Sequence, residues 1–377
     1  MTGLLVAVLL LAGLTAAAEP IRVALGEGYA SVEVETVDLV TVRDGSTRRP
    51  LFGIPGGRVI RIVPERRGLH VAWGPSSRER RPTAVPAVRL ETRRGSLRVG
   101  RREYEGALEV WRNRRGLLLV NELPLEEYIA GTVRAEAGRN WPAEALRAVA
   151  VVARTYAVFL QQRAEGKLYH LLASSQDQNY AGHVRKGSSV WKAVRATTGQ
   201  VLTWQGRVFP TFYHSDSGGF TEPPQAVFSG DGVPPLPGVR DEFSDESPNR
   251  TWAVTLPLET VGQRLRRAGF GVGTVAGLTV LERSPSLRVL RIAVTHSRGT
   301  TTFKGTEFRR ALGFDVLKST LFVPVTGSDG MVRFEGRGWG HGVGLSQFGA
   351  KGMADRGYTY ARILAYYYPG TALRTLR

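Results

Sequence analysis

Cysteine is absent from the 377-residue chain. Disulfides, a thiolate nucleophile, a Cys-based zinc site and a lipidated anchor are therefore excluded, and stability rests on packing alone. Beyond the N-terminus no segment reaches the roughly 20 apolar residues needed to cross a bilayer. Met1 to Ala18 carries no charged side chain, and Leu4 to Leu14 is almost continuous hydrocarbon. Ala16, Ala17 and Ala18 supply the small residues of a signal-peptidase site, so residues 1–18 are expected to be an export signal with the mature chain starting near Glu19. The basic n-region is missing, which leaves an uncleaved short anchor as the alternative. An exported, extracytoplasmic location follows either way, in the periplasm or cell wall.

Other absences narrow the chemistry. The glycine-rich stretch Gly336 to Gly352 satisfies neither G-x-G-x-x-G nor the Walker pattern, so a nucleotide site is rejected. There is no G-x-S-x-G elbow and no H-E-x-x-H pair. No metal and no cofactor are expected. Internal repeats are absent too.

Basic residues are what the chain has in excess: 51 Lys+Arg against 33 Asp+Glu, a net charge of +18, nearly all of it arginine. Such a balance calls for an acidic partner. The exported start and the lack of any nucleic-acid motif argue against nucleic acid, and point instead to wall polymers or an anionic membrane face. The plainer alternative is a set of solvated arginines.

An apolar fraction of 42% is enough for a real core, and the length suits one large domain or two modest ones. Short alternating runs punctuated by Gly and Pro, such as Val32/Val34 and Val40/Val42, predict a β-rich region over 19–110. The pattern then changes to a helix from Leu125 to Ala137, ended by Gly138, and a longer one from Trp141-Pro142 through Gln162. The small residues Ala148, Ala150, Ala153 and Ala157 mark that second helix as central. Shorter helices are expected near 190–197, 258–268 and 306–311 and from Leu345 and Thr359, with a hairpin turn at Gln205-Gly206. The fold class is α+β, with central helices surrounded by mixed or antiparallel β-structure and a substrate groove. Residues 111–377, where the helices lie, are expected to form a second domain after the β-rich region.

Four places gather polar residues. Glu136 ends an otherwise apolar helix, where carbonyl groups and partial burial raise a carboxyl pKa and make a general acid; the alternative is a surface glutamate. Arg154, in the middle of the apolar helix, needs a carboxylate, carbonyls or a ligand anion, with Glu136 a candidate partner. His214, Ser215, Asp216 and Ser217 lie too close in sequence to form a triad. Trp339 offers a flat face to a sugar, and His341 and Gln347 offer hydrogen bonds; a structural loop with a core tryptophan is the alternative.

Read in order, VNELPLEEYIAGTVRAEAGRNWPAEALRAVAVVARTYA, DQNYAG, TTGQVL, FYHSDSGGFTE, GWGHGVGLSQFGAKGMA and YYYPGT resemble the SpoIID/LytB family, from about Tyr104 to the C-terminus. The resemblance implies a lytic transglycosylase acting on peptidoglycan glycan strands stripped of peptide, cleaving between N-acetylmuramic acid and N-acetylglucosamine to leave 1,6-anhydro ends. It carries the catalytic glutamate onto Glu136, cleft-shaping basic positions onto Arg147 and Arg154, and cleft-lining positions onto Gln178, Tyr180, Tyr213, His214, Ser217, His341 and Gln347. It also implies a second class of role, a non-catalytic wall-binding enhancer of a cell-wall amidase, peripheral to membrane or wall. The family's Met after the glutamate is Ala137 here, a Gln of the central helix is Val149, and the Thr-like position within HSxSGG is Asp216.

Overall fold

Alternation sets the first hundred residues. In Val32–Thr36 every second side chain is buried, and the same rule recurs along Arg58–Glu65, as expected for strands with one face on a core. The computed structural model describes residues 20–74, 79–93, 95–138, 140–228, 233 and 235–376; the export signal expected over 1–18 lies outside them. Residues 21–123, together with the short strand Leu171–Leu172, build a seven-stranded and a six-stranded sheet. All pairings within them are antiparallel except one, where Leu171–Leu172 joins Ile21–Tyr29 in parallel. Val23, Val34, Ile60, Val71, Leu90 and Leu119 meet in one core between the sheets.

That core continues into the helices. The helix α1 (Leu125–Glu136) follows strand Gly116–Leu123 directly, with Pro124 at its N-cap and Glu126 and Glu127 in its first turn. The next, α2 (Ala143–Gln162), starts after Pro142. Proline suits both starts because the missing N–H would have no helical partner there. Twelve residues of α2 are buried, among them Ala148, Ala150, Ala153 and Ala157. Their small side chains let α1, α3 (Ser189–Ala196) and strand Gln200–Trp204 pack against it. The boundary expected at residue 110 falls inside strand Ala107–Asn113, and a single core runs through both sides of it.

At Tyr213–His214 the chain forms a two-residue strand that pairs in parallel with Leu345–Ser346. Between these two points the segment through Leu236 and Phe243 still packs on the main core, and the chain leaves it only after that. Residues 252–336 form two three-stranded sheets, α4 (Leu258–Arg267) and α5 (Gly305–Leu312). They close around a core of their own, built on Phe303, Phe308, Phe322 and Phe334. After the return, α6 (Gln347–Asp355) and α7 (Tyr360–Tyr367) pack on α2. Among the described residues no helix is long and apolar enough to cross a membrane. The architecture is α+β, as the sequence pattern predicts.

Candidate active site

Glu136 is the last residue of α1 and is half-buried. Its Oε1 accepts the Asn179 backbone N–H at 2.8 Å, and its Oε2 accepts the Gln347 amide at 3.1 Å. Both donors are neutral. Burial raises the carboxyl pKa above its ordinary value, the hydrogen bonds from Asn179 and Gln347 oppose this only in part, and no cation is among the groups acting on it. The negative end of the α1 dipole works in the same direction. A carboxyl held this way keeps its proton to higher pH than an exposed glutamate does.

The neighbours of Glu136 come from separate parts of the chain. Gln347 opens α6, whose N-cap Ser346 accepts the Gly349 N–H. Because Ser346 is in register with His214, the strand pair places Tyr213 and Gln347 on adjoining backbone. Gln178 is 1% exposed and donates to the Tyr213 hydroxyl at 3.1 Å and to the Ala153 carbonyl, while accepting from the Tyr128 hydroxyl at 2.9 Å. Burial, reinforced by the nearby Glu136, holds the Tyr213 phenol well above its usual range. Tyr213 is thus a neutral hydrogen-bonding group, fixed from α1 and α2 through Gln178.

The His214 and His341 rings meet with centroids 5.5 Å apart, tilted 57° to one another. One residue's backbone governs both: His214 Nδ1 lies 3.1 Å from the Val343 carbonyl, and His341 Nδ1 accepts the Val343 N–H at 3.0 Å. The carbonyl requires a proton on His214 Nδ1, and the N–H requires a lone pair on His341 Nδ1, so the rings hold opposite tautomers. Both are kept neutral. Burial drives the His341 pKa down to about 3 and the His214 pKa well below 6.5. Phe228 and Phe212 close over His341. Trp339 is 37% exposed, with the Lys318 ammonium 5.2 Å from its ring centroid, so it is a surface platform rather than a core residue.

Four residues expected to line the groove have partners of their own. Arg154 is fully buried, but its partner is Glu126, not Glu136: Nε and Nη2 hold the two Glu126 oxygens at 2.9 and 2.6 Å, and Nη1 reaches the Gln200 carbonyl. Its chemistry is spent joining α1 to α2. Arg147 pairs with Glu144 one turn away on α2. Tyr180 is 2% exposed, packs on Gly131 where a Cβ would lie 2.3 Å from its ring, and donates to Asn121. It belongs to the core. Ser217 has no exposure and donates to Asp241, which also accepts from Ser244, so it pins the loop from inside. Asp216 is buried as well, its backbone exchanging both hydrogen bonds with Trp339.

Three residues that motif reasoning leaves out lie on or against the segments that meet at Glu136. Asn179 supplies the backbone donor. Trp141 covers Gly138, where a Cβ would lie 2.2 Å from its indole nitrogen, and meets Phe348 edge-on at 5.4 Å. The glycine two residues after Glu136 and the aromatic after Gln347 were the available signals. Among the described residues no three His, Asp or Glu side chains converge as metal ligands.

A half-buried carboxyl held by two neutral donors, with the Tyr213 phenol close enough to feel its charge, makes a candidate acid–base site on an α+β scaffold. The profile of the stage II sporulation protein family, SpoIID, matches residues 113–204, and that of a domain of unknown function, DUF8618, matches 241–344. Stage II sporulation protein D of Bacillus subtilis is 30% identical over 269 residues, covering 67% of this chain and 75% of that protein. An uncharacterized protein of Brachyspira hyodysenteriae is 30% identical over 269 residues, 71% of each chain. The amidase enhancer of Bacillus subtilis is 29% identical over 293 residues, 65% of this chain and 40% of that protein. The chain belongs to the SpoIID family.

Proposed function

We propose that the protein is a lytic transglycosylase of peptidoglycan glycan strands, with Glu136 as its single acid and base. The observation that carries this reading is a carboxyl at a helix C-terminus, held by two neutral donors, whose pKa burial raises above the ordinary carboxylate value. In the reaction Glu136 gives its proton to the glycosidic oxygen as the bond from the muramic acid C1 breaks. The resulting carboxylate takes the proton of that sugar's C6 hydroxyl while the C6 oxygen bonds to C1. The products are a 1,6-anhydro end and a free N-acetylglucosamine end, no water is consumed, and Glu136 finishes protonated. No second carboxylate is required, unlike in two-carboxylate hydrolysis. Tyr213, Gln347 and the His214–His341 pair line the groove as neutral hydrogen-bonding groups, and Trp141, Phe348 and Trp339 offer ring faces to sugars. Arg147, Arg154, Gln178, Tyr180 and Ser217 support it from behind.

The test is mass spectrometry of peptide-stripped glycan strands after incubation with purified protein. Anhydro-disaccharides released by the wild type and not by Glu136→Gln support the reading. A second reading, enhancement of a wall amidase, is favoured by the similarity to an amidase enhancer. It prevails if the wild type releases no anhydro product, yet stimulates an amidase equally well with glutamine at position 136.

A further inference from the structure

The arginine excess is unevenly placed. No lysine precedes Lys167, and the β-structure of residues 21–123 carries arginine as its only strong cation. Two of its turns converge. Arg66 and Arg67 form the turn between strands Arg58–Glu65 and Gly68–Trp73, and Arg114 and Arg115 the turn between Ala107–Asn113 and Gly116–Leu123. They border a cavity of about 470 Å³ lined by Arg67, Arg112, Asn113 and Arg114, with Gly68, Ala84 and Pro86 completing the wall. No carboxylate lines it. The acids nearby are engaged elsewhere, Glu65 with His70 and Glu27 with Arg115 and Asn113. Among the described residues Arg67, Arg112 and Arg114 form no ion pair, and a hydrogen bond from Arg112 to the Arg66 carbonyl at 3.2 Å ties the two turns together.

We propose that this cradle binds a phosphate-bearing polyanion. Three like charges held around one concavity repel each other, and an anion seated among them relieves that repulsion. Guanidinium groups present paired donors that match phosphate oxygens. A tetrahedral phosphodiester directs its oxygens outward in several directions, which suits arginines arriving from two separate turns better than a planar carboxylate does. The rim has no bulky apolar residue to enter a bilayer, since Ala84 and Pro86 are the exposed apolar members. A water-soluble polymer therefore fits better than a membrane. The cradle lies at the end of strand Gly116–Leu123 opposite the start of α1, about 26 Å away for eight residues. It is an anchoring site whose existence does not depend on what Glu136 does.

The experiment titrates the purified full chain with long-chain inorganic polyphosphate, with polyglutamate, and with vesicles of phosphatidylglycerol or phosphatidylcholine, at roughly 0.1 M ionic strength, where more distant charges are largely screened. Arg67→Gln/Arg114→Gln should keep its melting temperature, because both side chains are exposed and unpaired, and should bind polyphosphate at least about tenfold more weakly, as loss of charge-assisted hydrogen bonds implies. Arg298→Gln/Arg362→Gln removes the same charge from exposed sites elsewhere and should change binding by less than about twofold. An equal loss in that control pair overturns the proposal in favour of net charge. So does absence of polyphosphate binding, tighter binding of polyglutamate, or cradle-dependent binding of phosphatidylglycerol vesicles in preference to polyphosphate.

Discussion

The two ends of α1 each carry a glutamate, and their surroundings are opposite. Glu126, in the first turn, sits at the positive end of the helix dipole, accepts both forks of Arg154 and takes the Gly199 N–H as well. Glu136, in the last turn, sits at the negative end and meets only neutral donors. One residue type on one helix thus meets a guanidinium at one end and only neutral donors at the other. The difference lies in what other segments bring, a guanidinium from α2 or an amide from α6. Chemical role here is a property of the partner set rather than of the residue.

The largest expected effect comes from removing the proton carrier. Glu136→Gln keeps the size and an acceptor for Asn179 but cannot deliver a proton, so anhydro-product release should fall by about 10²–10⁴-fold, with the far-UV circular dichroism unchanged. Breaking the other end should instead damage the fold. Glu126→Gln leaves a fully buried guanidinium without its anion, and a urea titration should show a loss of about 3–5 kcal/mol. The contrast can also be erased from the Glu136 side. Gln347→Lys sets a cation against Glu136, and the pH–rate profile should move to lower pH by roughly 1–3 units, while Gln347→Ala should leave the high-pH limb, where Glu136 loses its proton, above the ordinary carboxylate range.

The smallest effect is a linkage. With its folded pKa raised by burial, Glu136 binds its proton more tightly in the folded than in the unfolded chain. It therefore contributes stability at low pH that is lost as pH rises from the ordinary carboxylate range through the raised value. The melting temperature of Glu136→Gln relative to wild type should increase over that interval and level off above it. A difference that stays flat with pH would mean that the site does not hold the proton.

Local signals carried much of this organisation. The proline-started helices appear within a residue or two of where Pro124 and Pro142 place them. The Gln205-Gly206 turn has positive φ at both positions, as a two-residue hairpin requires. Pairings across long sequence distances were not legible. Arg154 announces the need for an anion, but Glu126, Glu136 and other acids satisfy that need equally on paper, and only the packing of α1 on α2 selects one. Asn179 acts through its backbone, which no side-chain motif reveals. Tyr180 and Ser217 sit inside polar motifs yet face inward, because Gly131 and Asp241 receive them. Of residues 252–336 the sequence showed only the short helices near 258–268 and 306–311, whose periodicity cannot say that they build a core of their own.

The strand pair Tyr213–His214 and Leu345–Ser346 has a further consequence, in the order of events during folding. These two segments must find each other across roughly 130 residues, a closure whose entropic cost grows with the logarithm of the span. Because residues 252–336 own a core, they can condense first and act as a rigid stem that draws its two flanks together. The span left to close is then only the loop before Trp252 and the short return after Gly336. Truncations within the stem should therefore delay assembly of the Glu136 pocket, even where every residue touching Glu136 is intact.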